Sequence, residues 1–254
     1  MNKTEGSAAG SRREGREGGR KAGSAAPIVL ALDDMSESGA LTLARRMTGL
    51  IWGTKINDLL LRSGSEIIPR LKVYGGVFCD AKLHDIPNTV AHQVALLDKA
   101  GADLITVHCS GGADMLRAAV RAKSGRARLL GVTVLTALSD DDTRAIYGQD
   151  ASVQVGRMVE LALECGLDGI ICSPADLDVT RKVDPGHKLM RVTPGVRPGW
   201  YGTPDDQSRT MEPGAAMQAG ADLLVIGRPI TSAADPAAAC ERIAVEISEL
   251  RAGQ

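Results

Sequence analysis

The chain has 254 residues, enough to bury one sizeable core and close to the length that a single α/β barrel requires. Its 30 Lys+Arg and 31 Asp+Glu leave a formal net charge of −1, which excludes a strong electrostatic pull on nucleic acid or an anionic membrane. Aromatic residues make up only 2% of the sequence, too few for base-stacking platforms, so core volume has to come from Val, Ile, Leu, Met and Ala.

Residues 1–26 are rich in Gly, Ser, Arg and Glu, without the apolar run of a secretory signal. Such a segment buries too little surface to offset its ordering entropy, and a disordered tail is expected there. From residue 27 to 254 a single domain is expected. Short Val/Ile/Leu-rich runs alternate with amphipathic stretches, giving candidate strands at 28–33, 50–56, 77–83, 104–109, 129–135, 169–173, 189–193 and 223–226, and a last helix at about 237–250. Strands apolar on both faces and separated by helices indicate a parallel sheet covered by helices. Eight such units in this length suit a closed (β/α)8 TIM barrel better than an open sheet. No sequence motif is seen to repeat with the units.

The five cysteines are odd in number and lack CxxC spacing, so free, buried thiols in a reducing cytosol are expected rather than disulfides or a zinc site. No apolar stretch nears the roughly 18 residues of a membrane helix, and a cytoplasmic enzyme without membrane contact is expected. Gly-x-Gly, Walker A, His-Glu-x-x-His and Gly-x-Ser-x-Gly patterns do not occur, and His92 and His187 offer no metal spacing, so no metal site is expected.

Polar residues gather where strands end. Asp33 closes the first strand, Asp80 and Lys82 stand near the end of the third, and Arg228 follows the eighth. In parallel barrels the carboxyl ends of the strands build the active site, and clustered charges there are costly unless they serve a purpose. In Asp80-Ala81-Lys82-Leu83-His84-Asp85-Ile86-Pro87-Asn88-Thr89, strand alternation points Asp80 and Lys82 to one face, with Asp85 on the loop beyond. Two carboxylates beside one ammonium can keep that lysine charged and aimed at a developing carbanion. Ile226-Gly227-Arg228-Pro229 reads as a phosphate site, with Gly227 admitting close backbone approach, Arg228 offering a bidentate fork and Arg197 in the preceding unit. The Gly/Pro-rich stretch from Pro198 to Arg209 has the character of an active-site lid. His108 is expected near the site in a hydrogen-bonding role, and His84 outside it.

The string Asp-x-Lys-x-x-Asp-Ile-Pro-Asn-Thr resembles the signature of the orotidine 5'-phosphate decarboxylase family. Further motifs in that family's order are Ala31-Leu32-Asp33, Lys55-Ile56, Val107-His108-Cys109-Ser110-Gly111-Gly112, Thr133-Val134-Leu135-Thr136, Val192 through Pro198 and Val225 through Ile230. The resemblance implies decarboxylation of orotidine 5'-phosphate (OMP) to UMP and CO2 without cofactor. It gives Lys82 as the acid that protonates C6, with Asp80 and Lys55 extending the charged array. It implies a homodimer in which Asp85 enters the neighbouring subunit's site. It places Asp33 and Thr89 on ribose hydroxyls, Thr89 also across the dimer, and Ile86 in the substrate site. Gln207 would bridge phosphate and pyrimidine, and Thr136, with Ser139 as the alternative, would contact the ring. One departure is Asn57, where the family usually has Gly after Lys-Ile. The nearest alternative is a magnesium-dependent sugar-phosphate decarboxylase or aldolase on the same barrel. A non-catalytic nucleotide-binding barrel is the alternative of another class.

Overall fold

The computed structural model describes residues 25–202 and 210–252. Eight parallel strands close into a barrel in sequence order. They are β1 (Ala26–Ala31), β2 (Ile51–Ile56), β3 (Gly76–Leu83), β4 (Leu104–His108), β5 (Arg128–Val132), β6 (Gly169–Ile171), β7 (Met190–Thr193) and β8 (Leu223–Ile226). The helices are α1 (Glu37–Arg46), α2 (Asp58–Ser63), α3 (Ile67–Lys72), α4 (Pro87–Ala100), α5 (Gly112–Ala122), α6 (Asp140–Tyr147), α7 (Ala151–Cys165), α8 (Leu177–Val183), α9 (Pro213–Gln218), α10 (Arg228–Thr231) and α11 (Pro236–Ala252). The chain is a (β/α)8 TIM barrel. The expected tail lies outside the described residues except for Ala25 and Ala26, and Ala26 already opens β1, its N–H donating to the Leu50 carbonyl at 3.0 Å. Among the described residues no helix is long and apolar enough to cross a membrane. All five cysteines are free and buried.

Alternation along the strands sorts the core into two layers. Ile28, Leu30, Val77, Ile105, Leu129 and Leu224 face outward and are sealed by the helices. Val29, Ala31, Phe78, Leu104, Leu130, Val192, Leu223 and Val225 face inward and fill the barrel. The next inward position on several strands carries a polar group or glycine instead: Asp33, Asp80, Thr106 and Gly227. The barrel is therefore plugged by apolar side chains below and opens above them into a charged cup, at the end where the strands finish.

Two strands are shorter than the sequence pattern suggests. The run at 129–135 leaves the sheet after Val132, and that at 169–173 after Ile171. Val134 and Leu135 are apolar because of what they line or pack against, not because they pair in the sheet.

A motif does recur, at the opposite end of the barrel. Gly101-Ala102-Asp103, Gly166-Leu167-Asp168 and Gly220-Ala221-Asp222 each join a helix to an even-numbered strand. Each glycine has positive φ, and the next residue's N–H reaches back into the last helical turn, as from Ala102 to Leu97, Leu167 to Ala162 and Ala221 to Ala216. This is a Schellman-type helix stop. Each aspartate then grips the strand before it, its carboxylate accepting the N–H of Val77 (2.8 Å), Leu129 (2.8 Å) or Arg191 (2.7 Å). A basic partner completes every clamp: Lys72 on Asp103, Lys123 on Asp168 and His187 on Asp222.

Candidate active site

The charged cup is a cavity of about 760 Å3, within the range of small-molecule sites. Asp33, Lys55, Asp80 and Lys82 line one side, Arg197, Gly227 and Arg228 another, and Val132, Val134, Leu135, Thr136 and Ile171 lie among the remaining lining residues.

Four of the charged groups form one chain of contacts. The Lys55 ammonium donates to both Asp33 carboxylate oxygens at 2.9 Å and lies 3.5 Å from Asp80 Oδ2. The Lys82 ammonium donates to the same Asp80 Oδ2 at 2.6 Å. Lys55 and Asp80 are buried, whereas the Lys82 side chain keeps 38% of its surface exposed, turned into the cavity. Burial of Asp80 disfavours its charge, but Lys55, Lys82 and the Thr106 hydroxyl outweigh it and hold the carboxyl below its ordinary range. Asp80 thus stays ionised at neutral pH, and the array presents one accessible amine head, that of Lys82.

Asp80 and Lys82 do share a face, but not by simple alternation. Between the pairs Cys79–Ile105 and Leu83–Val107, β3 advances four residues while β4 advances two, so β3 bulges. Within the bulge Lys82 has φ of +46°, a left-handed conformation that costs a non-glycine residue about 1–3 kcal/mol. The Lys82 N–H donates to Thr106 Oγ1 at 2.8 Å, and that hydroxyl donates to Asp80 Oδ1 at 3.0 Å. Asn57 lies at the mouth of β2 and donates from Nδ2 to the Asp80 carbonyl at 2.6 Å. Sequence reasoning missed Thr106 altogether, although it directly precedes the Val107-His108 motif. It noted Asn57 only as a departure.

The remaining expected residues divide. Thr136 lines the cavity. Ser139 instead caps α6, accepting from the Asp142 N–H at 3.1 Å and donating to its carboxylate at 2.6 Å. Asp85 and Ile86 are exposed on the rim, and neither they nor Thr89 line this chain's cavity. Gln207 lies outside the described residues. Arg197 is fixed from the backbone, its N–H donating to Met211 at 2.9 Å and its Nη1 to the Val196 carbonyl at 2.9 Å. His108 packs its ring on His84, with centroids 5.3 Å apart, in place of the expected hydrogen-bonding role. Burial, His84 and Lys82 lower its pKa against the pull of Asp80, which favours the neutral ring. Among the described residues no group of three or more His, Cys, Asp or Glu side chains is placed to hold a metal ion.

This constellation can be compared with known proteins. The family model described as "Orotidine 5'-phosphate decarboxylase / HUMPS family" matches residues 26–243. A Saccharophagus degradans protein named orotidine 5'-phosphate decarboxylase is 39% identical over 232 residues, covering 89% of this chain and 97% of that one. A Pseudomonas aeruginosa protein of the same name is 41% identical over 228 residues, covering 87% and 97%. The crystal structure of orotidine 5'-phosphate decarboxylase from Lactobacillus acidophilus superposes with a TM-score of 0.72 at 33% identity, covering 87% of this chain and 99% of that one. With the fold, the cup and matches over most of its length in agreement, this chain belongs to the orotidine 5'-phosphate decarboxylase / HUMPS family.

Proposed function

We propose that this protein is a carboxy-lyase that converts OMP to UMP and CO2, the step that completes de novo UMP synthesis. The observation that carries the reading is the single accessible ammonium of Lys82, held by Asp80 across the cavity from Arg197 and Arg228. The two arginines and the Gly227 N–H suit the phosphate, and the ribose falls between, beside Asp33. Thr136 is the candidate for the pyrimidine, together with Gln207.

The chemistry follows from charge. The C–C bond from C6 breaks, CO2 departs, and the electron pair stays on C6 in the ring plane, where π-delocalisation cannot take it up. The Lys82 ammonium interacts more strongly with that localised pair than with the delocalised carboxylate, which lowers the barrier rather than merely tightening binding. The same ammonium then gives its proton to C6, and the neutral amine regains one from water. Lys55 and Asp80 keep the ammonium in place and Asp33 anchors the far end of the array.

A second copy of the chain completes the reading. Asp85, Ile86 and Thr89 stand on the rim beside the cup, and Ile86 leaves 67% of its surface exposed. An apolar side chain next to a carboxylate, outside its own cavity, supports a homodimer in which Asp85 and Thr89 reach the partner's site. No nucleic acid or membrane partner and a cytoplasmic location are part of this proposal.

The test is OMP turnover followed by absorbance, with and without EDTA. Turnover indifferent to EDTA is expected. Activity lost on chelation would move the reading to a metal-dependent relative on the same barrel, and no turnover would discard it.

A further inference from the structure

We propose that Thr106 and Asn57 are positioning residues that clamp the β3 bulge and hold Lys82 in the backbone conformation that aims its ammonium into the cup. The inference rests on the reading of Lys82 as the proton donor and names what keeps that donor in place.

A non-glycine residue stays left-handed only where its surroundings over-determine it. Here three contacts do so. Thr106 Oγ1 accepts from the Lys82 N–H at 2.8 Å and donates to Asp80 Oδ1 at 3.0 Å, so one hydroxyl ties the lysine's backbone to the carboxylate that holds its side chain. Asn57 grips the Asp80 carbonyl at 2.6 Å from the end of β2. Thr106 is fully buried, so water does not replace its hydroxyl.

The use of Asn57 is telling. It occupies the N-cap of α2, a position where an asparagine ordinarily turns its side-chain oxygen onto its own helix. It makes no such cap here, and its amide crosses to β3 instead. Neither residue lines the cavity, so both act through Asp80 and Lys82 rather than on substrate. Removing either contact should therefore misplace the ammonium while leaving the phosphate and ribose contacts intact.

The experiment uses the full chain and three variants, Thr106→Val, Thr106→Ser and Asn57→Ala, with kcat and KM for OMP and the Kd of UMP measured for each. Thr106→Val keeps the shape and loses the hydroxyl, and its kcat should fall about 10- to 100-fold, the scale of a misplaced reacting group. KM and the UMP Kd should stay within about threefold, because uniform binding is untouched. Thr106→Ser, which keeps the hydroxyl, should recover kcat to within about threefold, and Asn57→Ala should lose about 3- to 10-fold in kcat alone. The clamp is overturned if Thr106→Val keeps wild-type kcat, if Thr106→Ser loses as much as Thr106→Val, or if the loss appears in KM. Should Thr106→Val fail to fold, Asn57→Ala decides by itself, and an unchanged kcat there overturns the proposal. A wild type that does not turn over OMP removes the functional reading and this inference together. An active wild type with unaffected variants removes the inference alone.

Discussion

The two ends of the barrel share one chemical pair, an aspartate beside a basic side chain, and use it in opposite ways. At the closed end Asp103, Asp168 and Asp222 each accept a backbone N–H from the preceding strand as well as a basic side chain. Those carboxylates are fastened to the main chain, and the basic side chain is an accessory. At the open end Asp33 and Asp80 are bound to lysines, and the backbone groups of the bulge, the Lys82 N–H and the Asp80 carbonyl, are tied to the side chains of Thr106 and Asn57. An aspartate that holds backbone stabilises the fold, whereas one that holds an ammonium aims it.

The sharpest way to break this contrast is Lys82→Ala. It should leave under about a hundredth of wild-type kcat, since general acids contribute ~10²–10⁴-fold. Nucleotide binding should persist. A variant that keeps more activity, measured as OMP turnover, would show that the open-end array is structural.

A smaller effect tests whether the open end is finished by a second chain. Lys82→Ala and Asp85→Ala subunits, each inactive, are unfolded and refolded together at equal concentration. With random exchange about half the dimers are hybrids, each with one intact site of two, so roughly a quarter of wild-type activity should return. Activity no greater than the sum of the parents, with subunit exchange confirmed by mass, would place Asp85 within its own chain's site.

At the closed end, Asp222→Ala strips the Arg191 N–H of its carboxylate. A loss of about 1–3 kcal/mol is expected, which for a domain of this size lowers the midpoint by several degrees while kcat stays unchanged. A drop in kcat without a drop in midpoint would reverse the assignment of the two ends.

The smallest effect concerns acid. Asp98 is buried, which opposes its charge, but the Ser124 hydroxyl and the N–H groups of Ser124 and Ala127 bind it and, with Lys123, lower its pKa. A carboxyl with a lowered folded pKa contributes stability that is complete above its unfolded value near ~3.9 and is lost as pH falls through the folded value. Melting curves from neutral to acidic pH should show that loss in the wild type and less of it in Asp98→Asn. Equal acid sensitivity in both would show that Asp98 does not set it.

Much of this was legible in the sequence, for reasons that differ by region. The eight strands could be read because parallel strands covered by helices are apolar on both faces. Asp80, Lys82 and Arg228 stood out as charges at strand ends. The β3 bulge was not legible, because alternation already places Asp80 and Lys82 together and nothing in the residue types announces a left-handed lysine. Thr106 escaped because a buried threonine inside an apolar strand reads as filler. The closed-end clamps escaped because Gly-Ala-Asp and Gly-Leu-Asp are short and unevenly spaced, and only the strand register brings them into equivalent positions. Ser139, the alternative to Thr136, shows the reverse case: a hydroxyl close in sequence to the site is committed to its own helix.

The tryptophans follow the same division, and they give the protein a native optical readout. There are only two. Trp52, near the start of β2, lies over Gly76 at the closed end, where a side chain on that glycine would collide with the indole. Trp200 follows β7 on the open side, with the Arg242 guanidinium 4.7 Å from its ring centroid. Their surroundings differ in charge as well as in place, so replacing either one with phenylalanine would leave a chain whose fluorescence reports on a single end. Unfolding and nucleotide binding could then be followed separately in one unlabelled protein.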